Sequence, residues 1–147
     1  MLDIKRVRDN PEAVRRNLER RHDPEKLALL NQLIAADGRW RKLTTRVNRL
    51  RRRRNEVSAE IGRLIKEGED ASALKQEASE IPGRIREAEE ERGRNWKQVR
   101  YALMRLPNLL HDSVPYGVDD SDNVEVRRWG EPPTFDFEPR SHADIAR

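Results

Sequence analysis

A heptad repeat of apolar residues limits the folds open to this chain more than any other feature. Between residues 29 and 64 the repeat advances in alternating steps of four and three, and only Arg54 interrupts it. Its apolar members are Leu29, Leu33, Ala36, Trp40, Leu43, Val47, Leu50, Val57, Ile61 and Leu64. A second series, with the same spacing, consists of Leu74, Ala78, Ile81, Ile85, Ala88, Arg92, Asn95, Val99, Ala102 and Leu106. Because this spacing lays one narrow apolar stripe along a helix, it predicts two long coiled-coil helices.

A turn signal separates the two series. Gly68 suits a left-handed helix end, and Asp70 can cap the helix that follows. If the chain folds back at Gly68, stripe residues that face each other have numbers with a nearly constant sum, from Leu64 opposite Leu74 to Leu33 opposite Leu106. The sequence therefore predicts an antiparallel hairpin, about 60 Å long for helices of about 40 residues. The composition agrees, since 35% of residues are hydrophobic and 39% are charged, which is too little for a wide globular core.

Two cap-and-proline pairs predict helix starts before the hairpin. Asn10 with Pro11 begins a short helix, and Asp23 with Pro24 begins the first long one. Pro82, followed by Gly83, lies inside the second long helix. There a proline loses one hydrogen bond and clashes with the preceding turn, at a cost of about 3 kcal/mol, so we expect a kink.

The composition changes after Pro107, where turn residues and short alternations replace the heptads. The alternating residues 124–129 predict a brief strand, and residues 131–139 predict an extended linker. The predicted fold is thus all-α: a long antiparallel two-helix hairpin with a short N-terminal helix and an extended C-terminal linker containing a short strand. We place the helical arm at residues 1–110 and the linker at residues 111–147.

Several classes of site and of location are disfavoured by what the sequence lacks. It has no cysteine, which excludes disulfides and thiolate metal sites, and His22, His111 and His142 have no metal-ligand spacing. No glycine-rich phosphate loop and no nucleophile motif occur. No apolar run approaches the roughly 20 residues of a membrane span, and the first residues lack the apolar stretch of a signal peptide. We therefore expect no metal, no membrane partner, no catalytic residue in this chain, and a cytoplasmic location.

Positive charge is concentrated on the first long helix. Residues 39–54 contain nine basic residues and no acidic one, in a chain whose formal net charge is only +4. Such a density favours a surface that binds phosphate. The alternative is a solvated helix face, because charge runs usually have no further role.

The hairpin register predicts which of these charges are neutralised. Flanking positions face like positions across the pair, so we expect ion pairs of Arg51 with Glu89 and of Arg46 with Glu91. Arg53 should instead face Arg84. Two guanidinium groups without a nearby carboxylate repel each other unless an anion lies between them, so this pair predicts a phosphate clamp. The candidate nucleic-acid contacts are Arg49, Arg52, Arg53, Arg63 and Arg84.

Four other residues favour a structural role. Trp40 and Trp96 lie on or beside the stripes, which favours packing over stacking on bases. Arg54 is expected to extend its charged end to solvent, and Asn95 to fix the register of the pair.

Three stretches resemble the N-terminal region of seryl-tRNA synthetases. They are the opening MLDIK with the following RDNPE, the arm segment VNRLRRRRNEVSAEIG, and LPNLLHDSVP continuing to NVEVRRWG. The resemblance implies a hairpin that grips the long variable arm and the elbow of tRNA(Ser). It also implies a separate class II catalytic domain after Arg147 that uses ATP and Mg to attach serine. The resemblance further implies a dimer, in which the arm of one subunit presents tRNA to the active site of the other.

Two features depart from that pattern, and a rival hypothesis stays open. Pro82 and Gly83 interrupt a helix that the family usually keeps continuous, and the run from Arg51 to Arg54 is denser than expected. The rival is a coiled-coil module for protein interaction, without RNA specificity, whose arginines only promote solubility.

Overall fold

The computed structural model describes residues 2–117 and 119–146, in which helices dominate. Two short helices, α1 (Ile4–Asp9) and α2 (Pro11–Glu19), precede two long ones, α3 (Pro24–Glu67) and α4 (Ser72–Arg105). A 3₁₀ turn (Asp120–Asp122) and the four-residue α5 (His142–Ile145) follow in an otherwise irregular tail. The prediction of an all-α hairpin is confirmed.

The hairpin closes as the sequence predicts. Gly68 ends α3 with φ 73°, and the amide of Glu69 donates to the carbonyl of Leu64 at 2.9 Å. Asp70 accepts from the amide of Ser72 at 2.9 Å, but the N-cap of α4 is Ala71, so Asp70 does not occupy the cap position expected of it. The glycine therefore satisfies the last carbonyls of α3 while the chain reverses. With 44 residues, α3 extends about 65 Å at 1.5 Å per residue.

The two stripes meet, but they bury two cores instead of one continuous core. The distal core, towards Gly68, consists of Val47, Leu50, Val57, Ile81, Ile85 and Ala88. The proximal core, at the other end, joins the hairpin to α1, α2 and the segment after α4; it consists of Leu2, Val7, Val14, Leu18, Leu30, Leu33, Ala36, Val99, Ala102, Leu103 and Leu106. Most of the predicted stripe residues are buried. Leu30 and Leu103 are buried as well, although neither belongs to the predicted stripes.

Between the two cores, where Leu43 is also buried, the hairpin contains a buried asparagine. Asn95 is buried there, where its Oδ1 accepts from Nε of Arg39 at 2.9 Å and its amide donates to the carbonyl of Glu91 at 2.9 Å. The rings of Trp40 and Trp96 pack with centroids 5.2 Å apart. Asn95 and the two tryptophans thus have the structural roles expected of them. Arg54, on the stripe further along α3, is exposed, also as expected.

A buried carboxylate attaches α1 to the hairpin. Asp37 is only 3% exposed, and Arg8 donates to it twice, at 3.0 and 2.6 Å. Arg41 lies 3.0 Å from the same carboxylate. The sequence predicted α2, with Asn10 as its cap, but it did not predict α1 or this ion pair.

The segment after α4 returns along α2. The side-chain amide of Asn17 donates to the carbonyl of Leu110 at 2.9 Å and accepts from its amide at 2.8 Å. Arg20 donates to the carbonyls of His111 and Val114, and Arg21 to that of Asn108. Residues 108–114 are therefore fixed to the proximal end of the arm.

Two sequence predictions need correction or refinement. Residues 124–129 form no strand, because the described chain offers no partner strand to satisfy their backbone groups, and Val126 remains 94% exposed. At Pro82, α4 continues without a break, and Ile81 and Ile85 on either side belong to the same distal core. The expected kink therefore does not divide the helix or its stripe.

Replacing Gly68 by alanine should destabilise the hairpin by about 1 kcal/mol. The cost comes from the positive φ alone, since a methyl group there meets nothing within 4 Å. Gly62→Ala is the matched control, because it lies inside α3 with equal space and should stabilise by about 0.5 to 1 kcal/mol. Urea unfolding followed by circular dichroism measures both, and shifts of the same sign would contradict this account of the turn.

Replacing Asp37 by alanine should destabilise the proximal end by about 2 kcal/mol, because Arg8 and Arg41 both lose a buried, charged acceptor. Glu56→Ala provides the control. It removes an ion pair in which Arg52 is 83% exposed, and such pairs contribute less than about 1 kcal/mol. Thermal unfolding compares the variants, and equal losses would show that the burial of Asp37 has no energetic consequence.

Candidate nucleic-acid interface

The hairpin has one covered side and one open side. Helix α1 attaches through Asp37, which lies beside the stripe of α3 on one side. Within the described chain, no helix docks on the positions that flank the opposite edge of the two stripes. We call this surface the open face; its residues on the two helices include Arg39, Lys42, Arg46, Arg49, Arg53, Glu56, Glu77, Arg84, Glu87, Glu91, Arg94, Gln98, Tyr101 and Arg105. Basic side chains outnumber carboxylates along it, so it is a suitable surface for a polyanion.

A cleft in the open face, which we call the arginine cleft, brings together four of the five predicted contacts. It is lined by Arg49, Leu50, Arg52, Arg53, Glu56 and Arg84. The fifth, Arg63, lies outside it, nearer the turn, where it pairs with Glu67 at 2.7 Å. The heptad register thus placed Arg53 and Arg84 correctly on the same surface.

The prediction that this pair lacks a carboxylate was wrong. Arg53 donates from Nε and Nη2 to the two carboxylate oxygens of Glu77, both at 2.7 Å. These hydrogen bonds, and then the positive charges of Arg53 and Arg84, hold the pKa of Glu77 below its ordinary value. Glu77 occupies the same heptad position as Arg84, one heptad nearer the turn, and the long arginine side chain reaches it. At neutral pH, the positive charge of Arg53 is therefore offset by the carboxylate of Glu77.

Two arginines of the cleft have no ion-pair partner among the described residues. Arg52 pairs along its own helix with Glu56, at 2.8 Å. Arg49 and Arg84, in contrast, make no ion pair within residues 2–117 and 119–146. The two arginines of this cleft without an ion pair are thus Arg49 and Arg84, one from each helix, although the charge of Arg84 also contributes to the lowered pKa of Glu77.

The other predicted ion pairs have mixed outcomes. Arg51 and Glu89 approach to 2.5 Å on the opposite side of the hairpin, as predicted. Arg46 and Glu91 form no ion pair in the described chain, so that prediction was wrong. Both side chains are exposed, and water competes well for such pairs. Arg46 therefore adds a further unneutralised charge to the open face.

A second cleft, which we call the amide cleft, lies on the open face towards the proximal end. Its lining includes Asn31, Gln32, Arg39, Lys97, Gln98 and Tyr101, and it has no carboxylate among the described residues that line it. The sequence alone does not reveal this cleft, because its polar residues are scattered along two helices. Tyr101 at a flanking position beside a basic helix was the only available signal.

Neither a metal centre nor a membrane span is found in the part of the chain that the structure describes. No three histidine or carboxylate side chains gather closely enough there to hold a metal ion. Among the described helices, none joins sufficient length with enough apolar character to cross a bilayer.

The chain is similar to known proteins over nearly all of its length. The sequence model of the seryl-tRNA synthetase N-terminal domain matches residues 1–110. A serine–tRNA ligase of Methanospirillum hungatei is 53% identical over 146 residues, which cover 99% of this chain and 34% of that protein. One from Thermotoga neapolitana is 42% identical over 147 residues. The chain thus spans about a third of the length of these relatives.

A solved structure shares the fold as well. The crystal structure of seryl-tRNA synthetase from Pyrococcus horikoshii complexed with ATP has a TM-score of 0.81 and 43% sequence identity. The match covers 88% of this chain and 29% of the other. With the family match over residues 1–110 and a hairpin whose open face is basic, the chain belongs to the family of seryl-tRNA synthetase N-terminal domains.

Proposed function

We propose that this chain is the tRNA-binding arm of a serine–tRNA ligase and that its open face contacts the backbone of tRNA(Ser). The observation that supports this most directly is the arginine cleft. There Arg49 and Arg84, one from each long helix, form no ion pair among the described residues. Structured RNA is recognised largely through its shape, phosphates and sugars. A stiff hairpin that presents separate positive charges is suited to such a ligand, and the tRNA with a long variable arm offers the largest surface to it.

The five candidate contacts differ in whether a carboxylate of the protein already pairs with them. Arg49 and Arg84 bind phosphate directly, since neither forms an ion pair among the described residues. Arg52, Arg53 and Arg63 are already paired with carboxylates, so phosphate must displace Glu56, Glu77 or Glu67, respectively. Because exposed ion pairs contribute little free energy, a phosphate group can replace these carboxylates at small cost.

The remaining partners belong to the rest of the proposed ligase. Its catalytic domain, with ATP and Mg, would activate serine, and a second subunit would receive the tRNA that this arm presents. The tail supports a partner of this kind, because Val126 and Trp129 are 94% and 89% exposed, and Phe137 is 62% exposed. Apolar side chains so spaced along an extended segment suit docking against another domain. This function places the protein in the cytoplasm.

The double variant Arg49→Ala and Arg84→Ala should bind tRNA(Ser) at least about tenfold more weakly, because two charged phosphate contacts are lost. The slope of log affinity against log salt should become shallower by nearly one for each contact. Filter binding over a salt series measures both quantities.

Arg86→Ala with Arg100→Ala is the matched control for this experiment. Both arginines are exposed on the opposite side of α4 and make no ion pair among the described residues, and the double variant removes the same charge. If both double variants lost the same affinity for tRNA(Ser), the arm would bind RNA only by nonspecific charge attraction, and the role of the arginine cleft would be rejected. A tRNA with a short variable arm should bind less tightly than tRNA(Ser); no preference would favour the rival, a coiled coil for protein interaction.

Replacing Glu77 by glutamine should strengthen tRNA binding. The pKa of Glu77 is lowered, so the carboxylate stays ionised and paired at neutral pH, and a phosphate group that binds Arg53 must displace it. Glutamine removes this competing negative charge. The salt slope should become steeper by about one. Glu89→Gln changes the net charge equally but frees Arg51 on the opposite side, so it should leave the slope unchanged. Titration of both variants with tRNA(Ser) measures their affinities. Equal gains in affinity would exclude a specific role for the arginine cleft.

A further inference from the structure

The amide cleft has the chemistry of a nucleobase site, which the arginine cleft lacks. Tyr101 is 54% exposed at its rim, and the guanidinium carbon of Arg105 lies 3.7 Å from the centre of the tyrosine ring. An aromatic ring with a stacked guanidinium forms a flat platform. Unpaired bases stack on such platforms, as they do in many proteins that bind single-stranded RNA.

Amide side chains from both long helices line the cleft and supply groups for the edges of a base. Gln32 and Gln98 make no side-chain hydrogen bond within the described chain, so each presents both a donor and an acceptor. Asn31 uses its oxygen to accept from Arg15 at 2.6 Å, and its amide NH₂ group remains available. Base edges carry alternating donors and acceptors, which primary amides match in both directions.

The charges around the cleft favour a ligand that also carries phosphate. Arg39 is held by Asn95 through Nε, which leaves its terminal nitrogens free towards the cleft that it lines. Lys97 adds a second cation, and no carboxylate belongs to the lining within the described residues. This differs from the arginine cleft, where Glu56 lies among the arginines. A nucleotide, with a flat base and a negative backbone, fits this combination better than a peptide helix does.

We infer that the amide cleft binds an unpaired nucleobase of the same RNA whose phosphates occupy the arginine cleft. The inference rests on the proposed function and adds to it a site that recognises a base. Tyr101 lies 17 positions beyond Arg84 on the same side of α4, which corresponds to about 25 Å along the helix. Both clefts are on the open face, so one folded RNA lying along the hairpin reaches both. A base exposed in a loop or at a junction of that RNA enters the amide cleft.

The test compares Tyr101→Ala with Tyr101→Phe and Met104→Ala. Tyr101→Ala should weaken binding of tRNA(Ser) by about tenfold, the loss typical of one stacked base, while the salt slope stays unchanged because no charge is removed. Tyr101→Phe keeps the ring and should bind within about twofold of the wild type. Met104, 68% exposed on the neighbouring turn, is the control for loss of an exposed apolar side chain. Circular dichroism confirms that each variant remains folded.

A second readout locates the base. The fluorescent analogue 2-aminopurine is placed in turn at each unpaired purine position of tRNA(Ser). With the wild-type chain, one position should lose fluorescence by stacking, and that loss should disappear with Tyr101→Ala. The inference is overturned if Tyr101→Ala binds as well as Met104→Ala, if its salt slope falls as that of Arg49→Ala does, or if no position responds.

Failure of this inference is distinct from failure of the proposed function. If Arg49→Ala with Arg84→Ala weakens binding but Tyr101→Ala does not, the arm binds RNA through phosphates alone and the base site is rejected. If the wild-type chain binds no tRNA(Ser), the proposed function fails, and the base site fails with it.

Discussion

The antiparallel packing of two heptad stripes determines which face of the arm each other residue of the two long helices occupies. Once Gly68 fixes the register, the positions beside the stripes form two opposite faces, and residues far apart in sequence become neighbours. Arg53 and Glu77 meet in this way, as do Arg51 and Glu89. The narrow apolar seam thus does more than stabilise the hairpin, because it sorts the charges of a highly charged chain into defined surfaces.

The proximal end stabilises this arrangement by covering one face only. Asp37 ties α1 to α3, and Asn17 ties the segment around Leu110 to α2. Both interactions are buried or half-buried and strongly directional, so they fix the orientation of the short helices against the hairpin. Covering one face leaves the opposite one free, and both clefts lie on that free face. The structural asymmetry of the arm therefore originates in polar contacts at its base.

The sequence predicted the elements whose cause is periodic or local. The stripes, the turn at Gly68, the caps at Asn10 and Asp23 and the pair Arg51 with Glu89 all follow from spacing or from a single residue's preference. The strand at residues 124–129 was wrong because alternation shows only that a segment can pair, and a partner strand must be supplied by other residues. The ion pair of Arg8 with Asp37 could not be predicted either, since it joins separate helices whose docking angle has no periodic signal.

The error at Arg53 has a more general cause. Register arithmetic places backbone positions, and it predicted correctly that Arg53 and Arg84 share a surface. It does not choose among the partners that a flexible arginine side chain can reach, and a carboxylate one heptad away is within that reach. Glu77 attracts Arg53 while Arg84 repels it, so electrostatics selects the more distant heptad position. The charges available to a ligand on such an arm are therefore best predicted in two steps. The register first shows on which face of the hairpin each charged residue lies. The carboxylates within one heptad then show which arginines and lysines remain without an ion pair. Applied here, the second step replaces Arg53 by Arg49 as the partner of Arg84 in the proposed phosphate site.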